Sequence, residues 1–302
     1  MLITPQSLAA MLVLAVLWGL SIPVTKLGLV TLPPLTLTAL RFAIAVPLLL
    51  LLAIGRKRIP ARSLGRVVAL GIIGIGIGQV AQTFGIEGTS ASVGTILSAT
   101  IPLFIVVLAA IRLKQRFSAR QWAGLLAAFL GMVLVASSQE SGSAQAAATT
   151  WIGVFWMLLS SVAIAFYYVW SVELTQEYGV ETVVALSTLA GFVALLPWTG
   201  WEMLRHSPKF TVSAVAAATY LGILVTAIGL YLWLYILRRV SAGVAASVQF
   251  LQPVVGIAAA AAMFGDPLGV WFAAGVLLIL SGLGLTVVQN RKSARLASNS
   301  AE

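Results

Sequence analysis

The feature that most constrains this chain is the recurrence of apolar runs about twenty residues long. A helix of roughly that length crosses about 30 Å of hydrocarbon, and helices satisfy their backbone polar groups internally, as lipid demands. Ten such runs can be read, at about 7–29, 34–54, 66–87, 91–111, 118–138, 150–172, 182–202, 212–237, 242–264 and 267–289. The sequence therefore predicts an all-α integral membrane protein of ten transmembrane helices with short connections. Composition agrees: of 302 residues, 60% are hydrophobic and 9% charged. So few charges cannot cover a water-soluble surface, and such hydrophobicity excludes disorder. The first run lacks a basic flank before it and a small-x-small cleavage pattern after it, so it is read as a span rather than a signal peptide.

The net charge is +10. In a soluble chain that excess would point to nucleic acid; here it reads as topology, because Lys and Arg collect on the cytoplasmic side. Arg56, Lys57, Arg58, Arg62 and Arg66 follow the second run, and Arg112, Lys114, Arg116 and Arg120 follow the fourth. Arg238 and Arg239 follow the eighth, and Arg291, Lys292 and Arg295 form the tail. With ten spans all of these fall on one face, which places both termini in the cytoplasm. The opposite face has only Arg205 and Lys209. The segment with Glu173, Glu177 and Glu181 should share the basic face but has no Lys or Arg, and acidic residues count little in the rule. The expected partners are the bilayer and a small molecule, with no nucleic acid; no feature sets an oligomeric state.

The chain also repeats itself. Shifted by 151 residues, 71–131 aligns without a gap on 222–282, and fourteen positions are identical. Gly71 falls on Gly222, Gly78 on Gly229, Pro102 on Pro253, Gly124 on Gly275 and Gly131 on Gly282. The first two spans of each half match only weakly, at an offset of 147. The expected organisation is a five-helix repeat over 1–138, a linker at 139–149, a second repeat over 150–290 and a basic tail over 291–302. Five is odd, so the second copy enters the membrane inverted. Inverted repeats are a recurring plan of transporters, with substrate held near the midplane between the halves.

Several short patterns carry a family resemblance. Span 1 has Leu17-Trp18-Gly19 and then Lys26-Leu27-Gly28; Leu32-Pro33-Pro34 leads to Ala39-Leu40-Arg41-Phe42 in span 2. Span 4 has Ser98-Ala99-Thr100-Ile101-Pro102-Leu103, span 5 has Trp122-Ala123-Gly124, and span 9 has Leu251-Gln252-Pro253 before Phe264-Gly265-Asp266. Together these resemble the EamA branch of the drug/metabolite transporter superfamily. The resemblance implies ten spans in two inverted repeats and export of small metabolites, as in bacterial amino-acid exporters whose cargo includes aromatic amino acids. The acidic residue usual after span 4 in that family is Gln115 here, while its second-repeat counterpart, Asp266, is retained.

Candidate residues follow from what costs free energy inside a bilayer. No Asp, Glu or His is expected at midplane depth, which favours a facilitator over a proton-coupled carrier. Gln79 and Gln82 share one helical face, as do Gln249 and Gln252 and, in span 4, Thr95 and Ser98. These amides and hydroxyls are expected either to bind substrate or to join helices. Trp18 and Tyr168 lie deep enough to wall a cavity, whereas Trp151, Trp198, Trp201 and Trp271 suit interfacial belts. Lys26 and Arg41 are open to two readings: contact with a substrate carboxylate, or snorkelling and pairing near the outer interface. Gly78 is a close-packing or hinge position, and Pro102 and Pro253 interrupt repeat-related helices where gating would bend them. The expected cargo is an amino acid or similar zwitterion; drug or other neutral-metabolite efflux is the same-fold alternative. Nucleotide sugars and sugar phosphates would want more deep cations. With no Cys and the single His206, neither a metal site nor a cofactor is expected, and no acid–base or nucleophile pair supports an enzyme.

Overall fold

The computed structural model describes residues 5–89, 94, 97–98, 100–114, 117–137, 150–240, 244–245, 249–252, 254–256, 270–271, 273–282 and 285. Among these residues all regular structure is helical. In chain order the helices are α1 (Pro5–Leu29), α2 (Pro34–Ala53), α3 (Ala61–Glu87), α4 (Thr100–Arg112), α5 (Ala119–Ser137), α6 (Trp151–Tyr178), α7 (Val180–Arg205) and α8 (Val212–Leu237). Six of them, α1 to α3 and α6 to α8, are long and apolar enough to cross a membrane, with mean hydropathy of 1.8 to 2.2. The last two expected spans are described only in pieces, the longest being Ala273–Gly282. The expected linker at 139–149 and tail at 291–302 lie outside the described residues.

The helices start where the local chemistry allows it. Pro33 and Pro60 precede α2 and α3 in extended backbone. The Thr150 and Thr211 hydroxyls accept the Gly153 and Ala214 N–H groups at 3.0 and 3.3 Å, capping α6 and α8. Between α6 and α7 the chain turns in one residue, Gly179 at φ +88°, where a side chain would be strained. Two boundaries differ from expectation. The third helix begins at Ala61 rather than near 66, and α6 runs to Tyr178 rather than 172. Hydropathy reports depth in lipid, whereas hydrogen bonding continues through polar residues at the interface.

The bundle is apolar on both its inside and its outside, as a membrane solvent requires. Phe42, Ile105, Tyr167 and Trp233 fill the interior, while Val13, Leu52, Leu130, Val162 and Leu196 face outwards. Trp151, Trp198, Trp201 and Trp271 are all exposed. At one end the three acidic residues that had no basic neighbour in sequence meet the basic connections in space. Arg66 and Arg112 converge on Glu173 at 3.5 and 2.6 Å, Arg56 lies 3.6 Å from Glu181, and Lys57 donates to the Glu177 carbonyl at 2.7 Å.

Two helices widen where the sequence is most repeat-like. Residues Gly71–Ile77 in α3 and Leu221–Ile228 in α8 form π-helical turns. The two segments lie 151 residues apart almost register for register. A π turn closes its backbone hydrogen bond over five residues where an α turn spans four, and such turns often mark a functional position. Contacts elsewhere are exchanged at the same spacing. A Cβ on Gly131 would lie 2.7 Å from the Gly275 carbonyl and 2.8 Å from the Ile279 nitrogen, and one on Gly282 would meet the Gly124 carbonyl and, at 2.7 Å, the Ala128 nitrogen.

Candidate functional site

The interior holds a cavity with about 420 Å³ of atom-free space, open mouth included. Its lining comes from α1 (Trp18, Ser21), α2 (Arg41), α3 (Gln79, Gln82), α4 (Ile101), α6 (Ile164, Tyr168), α8 (Val225, Leu230) and the segment with Gln249 and Gln252. Helices far apart in sequence thus bring Trp18, Gln79, Gln82, Tyr168, Gln249 and Gln252 to one space. A smaller cavity of about 200 Å³ adjoins it, sharing Gln249 and Gln252 and adding Met11, Leu14 and Trp233.

Aromatic rings make one wall. Trp18 stacks on Tyr168, with centroids 6.0 Å apart and planes 5° from parallel. Trp233 closes the group at 5.6 Å from Trp18 and 4.9 Å from Tyr168. The Trp18 indole N–H donates to the Val225 carbonyl in the π segment of α8 at 3.1 Å, which fixes its ring. Trp233 is fully buried, yet its indole nitrogen has no hydrogen-bond partner among the described residues.

Polar groups face this wall. Gln252 Nε2 donates to Gln249 Oε1 across 3.5 Å, at the limit of a hydrogen bond. Gln79 Oε1 and Gln249 Nε2 are buried and unpartnered among the described residues. Buried polar atoms are normally satisfied by protein, water or ligand. Two amides therefore retain unused hydrogen-bonding capacity in the cavity.

Arg41 departs most from the interface-anchor reading. It is 7% exposed, and its side chain lines the cavity instead of reaching the outer interface. Its Nε donates to Thr226 Oγ1 at 2.5 Å, and no carboxylate among the described residues pairs with it. Packing of α2 against α7 and the π segment of α8 turns this face of the helix inwards, which hydropathy cannot report. A buried, unpaired guanidinium is costly, and pairing with an anion relieves the cost. Lys26 is placed otherwise: it is half-buried, does not line the cavity, and donates to the Thr89 carbonyl at 3.2 Å.

The remaining candidates scatter. Ser98 is not in the lining, and its buried hydroxyl has no partner among the described residues. Thr95 and Pro253 lie outside the described residues. Gly78 packs against α6, where an added Cβ would sit 3.1 Å from Ile164 Cγ1. Pro102 is buried within α4. Three residues carry roles that sequence reasoning missed. Thr226 and Trp233 look like ordinary membrane-helix residues. Glu202 looks like an interfacial acid, yet it is buried and accepts from the Leu35 and Thr36 N–H groups and the Thr36 hydroxyl at 3.1, 2.7 and 2.8 Å.

An apolar helical shell around a cavity lined by aromatic rings, amides and one cation suits passage of a small molecule. The comparisons agree: the profile of the EamA-like transporter family matches residues 6–137 and residues 151–288. The chain belongs to the EamA-like transporter family. It is similar to an uncharacterized transporter of Archaeoglobus fulgidus, 29% identical over 89% of this chain and 94% of that one. A probable terminal-alkyne amino-acid exporter of Streptantibioticus cattleyicolor is also 29% identical, over 89% and 92% of the two chains. A probable amino-acid metabolite efflux pump of Salmonella typhimurium is 26% identical over 95% and 97%. A solved crystal structure superposes with a TM-score of 0.78 over 95% of this chain and 98% of its own at 19% identity, a likeness of fold alone. This EamA-type protein is accordingly a multi-pass membrane transporter.

Proposed function

We propose that this transporter exports amino acids or similar small zwitterions, and that the cavity around Arg41 is its substrate site. The observation that carries the reading is the buried guanidinium, without a carboxylate partner among the described residues, facing unsatisfied amides and an aromatic wall. A substrate carboxylate pairs with Arg41, the amides take up the remaining polar groups, and the side chain stacks beside Trp18 and Tyr168. The printed names of two relatives, an amino-acid exporter and an amino-acid metabolite efflux pump, point the same way.

Alternating access between two inverted repeats, 1–138 and 150–290, supplies the movement. Several pairs of repeat-related positions support this arrangement by lining the same cavity: Gln79 with Leu230 and Ile101 with Gln252 at a spacing of 151, and Ser21 with Tyr168 at 147. The paired π segments and the exchanged contacts of Gly131 and Gly282 fit a twofold relation between the copies. Described lining residues include no carboxylate, in keeping with facilitated transport in a bacterial inner membrane. Both termini are assigned to the cytoplasm on the positive-inside rule; the clustering of Arg56, Arg66 and Arg112 with Glu173 and Glu181 at one end fits that assignment.

Liposome counterflow across a panel of labelled amino acids tests the reading, with Gln79→Ala, Gln252→Ala and Trp18→Ala in parallel. Transport of at least one amino acid by the wild type, weakened in these variants, is expected. No amino-acid transport would reject the cargo, and unchanged transport in all three variants would reject the lining. The aromatic wall taken alone favours a second reading, efflux of neutral apolar compounds, which the same assay separates by carrying uncharged aromatic solutes in place of amino acids.

A further inference from the structure

We infer that Thr226, through the π turn of α8, is a positioning residue that aims the Arg41 guanidinium at the substrate carboxylate. The inference rests on the proposed amino-acid reading of the cavity and adds to it the element that orients its cation.

A guanidinium carries five N–H donors in a rigid plane, so fixing one edge fixes where the others point. The Nε edge of Arg41 is taken by Thr226 Oγ1. No hydrogen bond from the terminal nitrogens to the described residues competes with a ligand, and the two terminal nitrogens form the side suited to a bidentate carboxylate.

Thr226 can accept from Arg41 because its own proton is engaged elsewhere. Its hydroxyl donates to the Leu221 carbonyl, five residues earlier, at 2.8 Å. Hydroxyls in α-helices bond back three or four residues, as Thr25, Thr83 and Ser187 do here. The five-residue reach belongs to the π segment Leu221–Ile228. A lone pair of Thr226 is thereby directed at the cation, and the direction depends on the helix staying wide. The neighbouring Val225 carbonyl holds the Trp18 indole, so one π turn sets both the cation and the stacking wall.

The first copy has no such device. Ile75 stands 151 residues before Thr226 and is buried without a hydroxyl. The π turn of α3, Gly71–Ile77, has no side-chain acceptor for a cation, and the cation on α2 of the first copy is oriented from the second.

The test is binding of L-phenylalanine and L-phenylalaninamide to the purified full-length transporter in detergent, read by titration calorimetry. Thermal unfolding checks that each variant is folded. The wild type is expected to prefer the acid over the amide. Thr226→Val, near in shape, should reduce acid affinity by about tenfold, the scale of one hydrogen bond to a charged group, and leave amide affinity unchanged. Thr226→Ser should restore the preference to within about twofold. Should Thr226→Val fail to fold, Thr226→Ala carries the same expectation. Equal losses for acid and amide, or a wild-type preference in the Thr226 variants while Arg41→Gln abolishes it, would overturn the positioning role alone. A wild type that binds neither probe or both equally, or an Arg41→Gln variant that keeps the preference, would overturn the carboxylate reading and the inference together.

Discussion

Glu202 offers a prediction whose size follows from the geometry. Its carboxylate caps the first turn of α2 from α7, accepting two backbone N–H groups and the Thr36 hydroxyl at 2.7 to 3.1 Å. The first N–H groups of a helix have no partner within it, and here the cap comes from a helix more than 160 residues away. It is therefore a fastening between α2 and α7 as well as a cap. Hydrogen bonds between membrane helices contribute roughly 0.6 kcal/mol each on average. Three of them give about 2 kcal/mol, and a charged acceptor about doubles that. Glu202→Gln, which keeps the shape and loses the charge, should cost about 2 kcal/mol, and Glu202→Ala about 4 kcal/mol. Reversible unfolding in mixed micelles reads these differences, and a double-mutant cycle with Thr36→Val isolates the hydroxyl's share. A Glu202→Ala protein within about 0.5 kcal/mol of wild type would refute the reasoning, because no fastening of this kind could then be in force.

Other perturbations separate further parts of the account. Trp18→Phe loses the bond to the Val225 carbonyl and keeps a ring beside Tyr168, so counterflow KM should rise by no more than about threefold, whereas Trp18→Ala should raise it more than about tenfold. Gly131→Leu and Gly282→Leu should each lower the thermal transition, since overpacking costs about 1–3 kcal/mol or more, and tolerance of either would contradict the close approach of α5 to Ala273–Gly282. Glu173→Gln should change stability by less than about 1 kcal/mol, because Glu173, Arg66 and Arg112 are all substantially exposed; a larger loss that persists at high salt would show the cluster to be structural.

How much of this was legible beforehand differs by residue. Apolar runs located the six long helices because lipid imposes one composition on every outward and inward face. They misplaced the start of α3 and the end of α6 because polar interfacial turns remain helical. Trp18, Tyr168 and the four glutamines were recognisable as costly or bulky groups at depth, but their meeting in one cavity is a property of packing. Arg41 shows the boundary most clearly. Its place in the span was readable, whereas its direction depends on how α2 packs against α7 and α8. Glu202 was hidden because the end of an apolar run is where an ordinary interfacial acid also sits. The π turns left a weak trace in the spacing of Gly71, Gly74 and Gly78 and in the repeat of Gly71 and Gly78 at Gly222 and Gly229. Nothing in composition marks Thr226, since its role exists only once α8 has widened.

The central claim is that a buried cation selects a carboxylate-bearing cargo, and it is tested most directly by counterflow of labelled amino acids into proteoliposomes holding wild-type or Arg41→Gln transporter. The account predicts accumulation by the wild type and its near-complete loss in the folded variant, with uncharged aromatic solutes unaffected by the substitution. Equal amino-acid counterflow by the two proteins would contradict it.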